Sequence, residues 1–252
     1  MDYGLAGKVA VVTGAGKGIG LAVTTALAAE GVRVVAGSRS VTPELAALDN
    51  VEPVAIDLST AVGPAQLVAA AGTRVDILVN NVGSAPVRTA GFLGVTEDQW
   101  LSTLNLNLLA AIRASRAVLP PMLAAGGGSI VTVSSWFGRT GHGYFSAYCA
   151  SKAALISLTH SAAAELAADK IRVNSVAPGN VATSMHFTAL REEAEKRGIS
   201  FEEMKKIEWD KIPLGRAADP AEIASAIAFL ASMDGNYLTG ATIDVNGGVL
   251  FS

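Results

Sequence analysis

The chain has 252 residues, of which half are hydrophobic and 16% are charged, and its formal net charge is −3. This size and composition suit one α/β domain with a large core and exclude a disordered chain. The sequence has no long basic run, which makes nucleic acid or an anionic membrane surface a poor candidate partner. No apolar stretch reaches about 18 uninterrupted residues, so we expect no membrane span.

Cys149 is the single cysteine of the chain. One cysteine cannot form an internal disulfide, which favours a reducing compartment. The N-terminal residues lack the basic and apolar regions of a signal peptide, so a cytoplasmic protein is expected. No base lies near Cys149 in the sequence, which favours a packing role over a nucleophilic one. No metal site is predicted.

Short runs rich in Val and Ile alternate with Ala-rich helical stretches along the chain. The strand runs are continuously apolar, as expected where helices cover both faces of a sheet. The predicted strands are Val9–Thr13, Val32–Ala36, Val51–Ile56, Ile77–Asn80, Ser129–Ser134, Ile171–Ala177 and Thr242–Val245. The predicted helices are Ile19–Glu30, Ala61–Ala71, Glu97–Ala124, Ala147–Ala168 and Pro220–Ala231. This alternation predicts a doubly wound parallel α/β sheet of about seven strands in a single domain spanning residues 1–252.

Residues 184–212 form a longer connection than a crossover between strands needs, and they mix charged with apolar side chains. One or two short amphipathic helices are predicted there. The segment is either a surface excursion or a lid over the carboxyl edge of the sheet, where ligands bind in such folds. Its position directly after a strand and its apolar content favour the lid.

A glycine-rich turn follows the first predicted strand and precedes a helix. Glycines let the backbone approach a pyrophosphate, and a helix N-terminus supplies N–H donors and a partial positive charge. Gly14, Gly18 and Gly20 have the spacing G-x-x-x-G-x-G. Ile19 stands where the common G-x-G-x-x-G motif has its third glycine.

The end of the second predicted strand distinguishes the two nicotinamide dinucleotides. An NAD site has an acid there to accept from the ribose 2′-hydroxyl, whereas this chain has Ser38 and Arg39. Arg39 and Lys17 are the two cations placed to hold a 2′-phosphate, which favours NADP(H). Asp57, after the third strand, has two interpretations: an acceptor for the adenine amino group or an ordinary helix N-cap.

Tyr148 and Lys152 lie four residues apart in a predicted helix and therefore share one face. A cation about 4 Å from the phenol favours the phenolate by roughly 4 kcal/mol at an effective dielectric of about 20. We therefore expect Lys152 to lower the pKa of Tyr148, so that the phenol acts as a general acid or base near neutrality.

These motifs, taken in order along essentially the whole chain, resemble the classical branch of the short-chain dehydrogenase/reductase family. Ser135 lies thirteen residues before Tyr148, and Asn107 lies seven residues after Trp100, as in the family pattern. The other matching segments are Thr13–Gly20 for T-G-x-x-x-G-x-G, Asn80–Gly83 for N-N-A-G, Tyr148 with Lys152 for Y-x-x-x-K, and Pro178–Thr183 for the P-G motif.

The resemblance implies a Rossmann fold and NADP(H)-dependent reduction of a ketone to a secondary alcohol, or the reverse. It assigns Tyr148 as the proton donor, and Ser135 as the residue that orients the substrate oxygen. Lys152 lowers the pKa of the tyrosine and holds the nicotinamide ribose, while Asn107 holds a water of a proton relay. The implied cofactor-binding residues are Gly14, Lys17, Gly18, Ile19, Gly20, Ser38, Arg39, Asp57, Leu58, Asn81, Gly83, Tyr148, Lys152, Pro178, Gly179, Val181 and Thr183.

Two of these assignments have near neighbours as rivals. Ser134 competes with Ser135, but adjacent residues of a strand point to opposite faces, so one of the two faces the site. Asn105 competes with Asn107, and the spacing from Trp100 favours Asn107. A plain buried amide is the alternative to a relay role for Asn107.

The substrate side is predicted to be a roomy, partly aromatic pocket. Its candidate lining residues are Trp136, His142, Tyr144, Met185 and Phe187. No basic patch for a carrier protein is evident, which favours a small free ketone or alcohol. The resemblance also implies a homotetramer, or a homodimer.

Two other functions compete on the same fold. A non-catalytic dinucleotide-sensing regulator would be expected to lack Tyr148 or Lys152, and both are present. An NADP-assisted lyase or epimerase would be expected to carry additional acids or bases in the pocket, of which the sequence offers few.

Overall fold

The parallel sheet predicted from the sequence is present in the computed structural model, which describes residues 3–85 and 91–251. Within these residues, seven strands form one sheet in the order β3-β2-β1-β4-β5-β6-β7, and every pair is parallel. The strands are β1 (Val9–Thr13), β2 (Arg33–Ser38), β3 (Val51–Ala55), β4 (Ile77–Asn80), β5 (Gly128–Val133), β6 (Ile171–Pro178) and β7 (Thr242–Val245). The strand order reverses between β1 and β4, and such a switch point opens a crevice at the carboxyl ends of the strands.

Helices cover both faces of the sheet, which confirms the single-domain Rossmann-type fold. Side chains of α1 and α9 pack with one face, and side chains of α3, α5 and α6 pack with the other. Alternate residues of β1 enter the two cores, so the whole strand is apolar. The helices are α1 (Gly18–Ala29), α2 (Pro43–Ala46), α3 (Gly63–Ala70), α4 (Glu97–Leu104), α5 (Ala110–Ala124), α6 (Ser146–Leu166), α7 (Ser184–Arg197), α8 (Phe201–Trp209) and α9 (Pro220–Ala231).

Most predicted boundaries lie within two residues of those observed, and β1, β4, β7 and α9 match their predicted bounds. The second strand extends beyond its predicted end because Gly37 and Ser38 still pair with β3, opposite Val54 and Ala55. Helix α2 was not predicted; Thr42 caps its N-terminus, and its first residue is a proline.

The predicted central helix, Glu97–Ala124, is helical over its whole predicted length, but it is not α-helical throughout. A π-helical turn at Asn105–Leu109 separates α4 from α5. Such a turn adds one residue to a helical turn and occurs often at functional sites. Here it directs Asn105 and Asn107 into hydrogen bonds with two different segments of the chain, the carbonyls of Ser59 and Ser84.

Residues 184–212 contain two short helices, α7 and α8, as predicted. Leu190, Ala194 and Met204 form a small apolar cluster between them, separate from the two main cores. Gly198 ends α7 with a φ of 65°, a conformation that glycine adopts without strain. Their function as a lid stays a prediction. In the described part of the chain, no helix combines the length and the hydropathy needed to cross a membrane.

Candidate active site

The carboxyl ends of β1 and β4 are joined by the side chain of Thr13. Its hydroxyl oxygen accepts hydrogen bonds from the backbone N–H groups of Asn81, at 2.9 Å, and Val82, at 3.0 Å. The Asn81 amide donates to the carbonyls of Thr13, at 2.9 Å, and Gly14, at 3.1 Å. The glycine-rich turn and the segment after β4 are therefore held together at the switch point of the sheet.

Close backbone packing explains the glycines of this turn. A Cβ atom at Gly20 would lie 2.2 Å from the carbonyl oxygen of Gly14, and one at Gly14 would lie 2.9 Å from the Cα of Val82. Gly18, with a φ of 56°, faces the methyl group of Thr183 across the site. Lys17 precedes α1, and its side chain makes no capping hydrogen bond there. This arrangement fits a pyrophosphate, because the first N–H groups of α1 are not capped by a side chain.

Ser38 and Arg39 lie beside the same turn, at the end of β2. A Cβ atom at Gly16 would lie 3.1 Å from the Cβ of Ser38, which is buried against the turn. Arg39 and Lys17 are both exposed, so their charged groups are accessible to an anionic ligand at this edge. These residues fit the 2′-phosphate of NADP(H) predicted from the sequence.

Asp57 organises the turn after β3. Its Oδ1 accepts hydrogen bonds from the backbone and the hydroxyl of Ser59, at 2.9 and 2.7 Å. These bonds, together with the nearby Arg39, hold the pKa of Asp57 below its ordinary value. The N-cap alternative is wrong, because α3 begins at Gly63 and its N-cap residue is Val62. Contact of Asp57 and the buried Leu58 with adenine stays a prediction.

The two adjacent serines after β5 point in different directions, as expected for neighbours on extended backbone. The side chain of Ser135 approaches the Tyr148 phenol closely enough to lower its pKa, and its Oγ accepts from the backbone of Phe137 at 3.2 Å. Ser134 donates instead to the carbonyl oxygen of Lys152, at 2.8 Å. The structure therefore brings Ser135, and not Ser134, to the phenol.

The pKa of Tyr148 is raised and not lowered in this structure, so the predicted net lowering by Lys152 is not observed. Burial raises the pKa of the phenol to about 12, and the nearby side chain of Ser135 only partly offsets this effect. The ammonium lies 5.7 Å from the centre of the Tyr148 ring and donates to the carbonyl oxygen of Val133 at 2.8 Å. Burial also lowers the pKa of Lys152 to about 8. Desolvation therefore outweighs the attraction expected from the spacing.

Asn107 is fully buried in the π-helical turn. Its Oδ1 accepts from the backbone N–H of Ser84 at 2.9 Å, and its Nδ2 donates to the carbonyl of Ser84 at 3.0 Å. The rival Asn105 points elsewhere, to the carbonyl of Ser59 and the guanidinium of Arg113. The structure therefore places Asn107 in the site and Asn105 outside it, while the water relay stays a prediction.

An aromatic cluster extends from Tyr148 toward the substrate side. The ring of Phe137 lies edge-on to Tyr148 at 6.2 Å, and it contacts Trp136 at 4.3 Å and His142 at 4.8 Å. Because Ser135 caps the 3₁₀ turn Trp136–Gly138, this turn fixes the cluster beside the serine. Trp136 and His142, two of the predicted substrate residues, are therefore connected to Tyr148 through the ring of Phe137.

The remaining predicted substrate residues lie farther out. Tyr144 is exposed and has a φ of 68°, and with His142 it lines a cleft of about 480 Å³ that also includes Phe92. Met185 is exposed near the start of α7. Phe187 packs against Phe201, 6.1 Å away, so its ring belongs to the apolar cluster between the lid helices.

The segment after β6 lies between the glycine-rich turn and helix α7. A Cβ atom at Gly179 would lie 2.7 Å from the carbonyl of Asn246, so glycine is needed at this crossing. Val181 forms a parallel bridge with Ala218, and Thr183 caps α7 by accepting from the backbone of His186. Pro178, which ends β6, leads into this segment.

Three polar residues of the site were missed in the sequence. Thr13 connects β1 to β4, Ser84 pairs with Asn107, and Ser151 accepts from the Nδ2 of Asn107 at 3.0 Å. Thr13 and Ser151 lie inside the quoted motifs, which was a usable signal. Ser84 acts through its backbone, which no residue pattern identifies. In the segments 3–85 and 91–251, no three His, Cys, Asp or Glu side chains converge to hold a metal ion.

Comparison with known proteins identifies close relatives over the full length. The profile of the family described as "Enoyl-(Acyl carrier protein) reductase" matches residues 14–250. The chain is 41% identical over 254 residues to L-xylulose reductase of Mesocricetus auratus, covering 99% of both proteins. It is 37% identical to the 3-oxoacyl-[acyl-carrier-protein] reductase FabG of Thermotoga maritima, covering 98% of this chain and 99% of that protein.

A solved structure has the same fold throughout. L-sorbose reductase from Gluconobacter frateurii, complexed with NADPH and L-sorbose, superposes with a TM-score of 0.91 at 31% identity, with complete coverage of both chains. The three proteins are named for different substrates, but all are reductases, and each aligns with this chain over nearly its full length.

Proposed function

Because the chain belongs to the short-chain dehydrogenase/reductase family, we propose that it is an NADP(H)-dependent enzyme that interconverts a ketone and a secondary alcohol. One observation carries the proposal: Ser135 approaches the Tyr148 phenol, and the buried ammonium of Lys152 lies 5.7 Å from the centre of the same ring, with the buried Asn107 close to it. The reductases among its relatives support the same reaction class.

The choice of cofactor rests on the nucleotide edge of the site. Lys17 and Arg39 are the exposed cations beside the glycine-rich turn, and Ser38 stands where an NAD site has an acid. The NADPH complex of L-sorbose reductase supports this choice. When bound, NADPH supplies a hydride to the carbonyl carbon. We propose that Thr183 and the backbone of Val181 orient the carboxamide of the nicotinamide.

The proton is the contribution of the chain's own residues. With a pKa of about 12, Tyr148 is a protonated phenol at neutral pH and is ready to donate to the substrate oxygen. Ser135 hydrogen-bonds and orients that oxygen as negative charge develops on it. Lys152 remains mostly protonated below pH 8, so its charge stabilises the phenolate left after proton transfer. This protonation pattern favours the reduction of a ketone near neutrality.

A further proposal concerns the class of substrate. We propose a small free ketone as substrate, because the described lining of the cleft contains Phe92, His142, Tyr144 and Ser146 and no lysine or arginine for an anionic carrier. The cytoplasmic location and the homotetramer stay predictions.

Replacement of the phenol tests the proposed function. We expect Tyr148→Phe to lower kcat for ketone reduction by about 10³-fold or more, because the ring remains but the proton donor is lost. NADPH affinity, measured by fluorescence titration, should stay within about threefold of wild type, because the phenol contributes little to cofactor binding energy. The reduction is followed by nicotinamide absorbance with a panel of ketones. Comparable turnover by this variant, or no turnover of any ketone by the wild type, contradicts the proposal.

A further inference from the structure

We infer that Ser151 is a positioning residue of the active site, because it connects the helix that carries Tyr148 and Lys152 to the π-helical turn that carries Asn107. The inference rests on the proposed function and adds a residue to its proton-transfer machinery. Ser151 touches none of the reacting atoms in this arrangement and acts through Asn107.

The hydroxyl of Ser151 is used as donor and as acceptor at once. It donates to the carbonyl oxygen of Tyr148 at 2.7 Å, and its oxygen accepts from Nδ2 of Asn107 at 3.0 Å. The side chain is completely buried, so water does not compete for either bond. A buried group with both hydrogen bonds made fixes the relative position of the two elements that it joins.

Asn107 transmits this connection to the segment after β4. Its amide pairs with both backbone groups of Ser84, in the manner of a short stretch of sheet. Nδ2 has two hydrogens, and its partners are the carbonyl of Ser84 and the hydroxyl of Ser151. All of the donor capacity of this amide is therefore used, and its orientation is fixed without ambiguity.

The orientation of Asn107 matters because its carbonyl oxygen lies near the buried ammonium. A Cβ atom at Gly83 would lie 3.2 Å from Oδ1 of Asn107 and 3.5 Å from Nζ of Lys152, so both atoms border the same small space. A carbonyl oxygen held close to an ammonium favours the charged form of the amine. Without Ser151, Nδ2 of Asn107 has a free donor and the amide loses the contact that holds it toward α6, so Oδ1 is no longer held close to the ammonium.

Helix α6 offers a matched control at Thr159. Its hydroxyl is also buried, and it donates to the carbonyl of Leu155 at 2.9 Å, one turn back in the same helix. Ser151 differs from it by the additional bond to Asn107. Thr159→Ala therefore measures what the loss of a buried helix hydroxyl does to stability alone.

The test compares Ser151→Ala with Thr159→Ala in the full-length enzyme. We expect Ser151→Ala to lower kcat for ketone reduction by about tenfold, which corresponds to the loss of one buried hydrogen bond in the transition state. KM for NADPH should stay within about twofold. The basic limb of the kcat profile should move to lower pH, because Lys152 loses its proton more easily. Thr159→Ala should leave kcat and the pH profile unchanged.

Two further variants separate positioning from general stability. Ser151→Cys retains a side chain of similar size with a weaker donor and acceptor, so it should show an intermediate loss even if Ser151→Ala does not fold. In an Asn107→Ala background, Ser151→Ala should lower kcat by a further factor of less than about two, because the two residues act as one unit.

The inference is overturned if Ser151→Ala has wild-type kcat and pH profile, if Thr159→Ala reproduces its effects, or if the Asn107→Ala background leaves a full tenfold loss. A wild-type enzyme that turns over no ketone with NADPH would overturn the proposed function itself, which is a separate result.

Discussion

The two sides of the active site are built differently. On the side of proton transfer, Asn107, Lys152 and Ser135 are 0%, 4% and 7% exposed, and hydrogen bonds tie them to several elements of the fold. On the substrate side, Tyr144 and Met185 are 60% and 47% exposed and lie on a loop and on the lid. Under the proposed function, the core therefore fixes the residues that carry the chemistry, whereas the proposed selectivity residues can change at little cost to the fold.

The buried side is tested most strongly at Lys152. We expect Lys152→Met to lower kcat by about 10²-fold or more, because no cation remains to stabilise the phenolate of Tyr148. Steady-state reduction assays measure this loss. A variant with more than a tenth of wild-type kcat would show that the ammonium is not part of the proton-transfer side.

The same variant should be more stable than the wild type. The fall of the lysine pKa from 10.5 to about 8 means that burying the charged amine costs the folded wild type about 3 kcal/mol, a cost that the methionine variant avoids. The Val133 carbonyl, left without its hydrogen bond in the variant, offsets about 1 kcal/mol of this gain in stability. Unfolding takes up a proton between pH 8 and 10.5, so wild-type stability rises across that range. The advantage of Lys152→Met in urea unfolding should therefore be greatest below pH 8 and disappear toward pH 10.5.

Arg39 tests whether an exposed residue changes selectivity and leaves the chemistry intact. We expect Arg39→Asp to lower the NADPH-to-NADH ratio of kcat/KM by about 100-fold, because a carboxylate repels the 2′-phosphate and accepts from a free ribose. The kcat with saturating NADH should stay within a few-fold of wild type. Arg39→Lys, which retains the charge, is the control and should keep the preference for NADPH. An unchanged ratio in Arg39→Asp would remove Arg39 from the 2′-phosphate.

The smallest effect is expected at Tyr144. Glycine adopts the observed φ of 68° freely, so Tyr144→Gly removes the ring without a backbone penalty. We expect the ratio of kcat/KM between a phenyl ketone and a methyl ketone to change by about fivefold, while kcat for the methyl ketone stays within about twofold. Tyr144→Phe should keep the wild-type ratio. An equal loss with both ketones would show that Tyr144 contributes to catalysis itself and not to selectivity.

The sequence predicted the sheet, the glycine-rich turn and the position of Ser135 well, because each depends on local patterns or on fixed spacing. It did not predict the π-helical turn at Asn105–Leu109, since the partners that stabilise this turn are distant in the chain. The side chain of Asn107 bonds residues 23 and 44 positions away, Ser84 and Ser151. No pattern within the helix contains that information.

The error at Tyr148 has a different cause. Spacing of four residues places Lys152 on the same face of the helix, but it does not reveal how deeply the two groups are buried. Burial raises the pKa of the phenol and lowers that of the amine. Attraction between the phenolate and the ammonium would do the opposite to each pKa. The sign of the shift therefore depended on tertiary packing and not on the motif.

The π-helical turn between α4 and α5 restricts which changes in chain length this protein tolerates. The π turn holds one residue more than an α-helical turn, so deleting one residue from Asn105–Leu109 would leave a continuous α-helix with α4 and α5 in phase, and Ala114 and Val118 would stay in the core. Asn105 and Asn107 would lose the directions that the turn gives their side chains, whereas a deletion or insertion elsewhere in the central helix would rotate α4 against α5 by about 100°. The connection at Gly198–Ser200 between the lid helices carries no such constraint. Natural variation in length is therefore expected to accumulate in the lid and to be absent from the central helix.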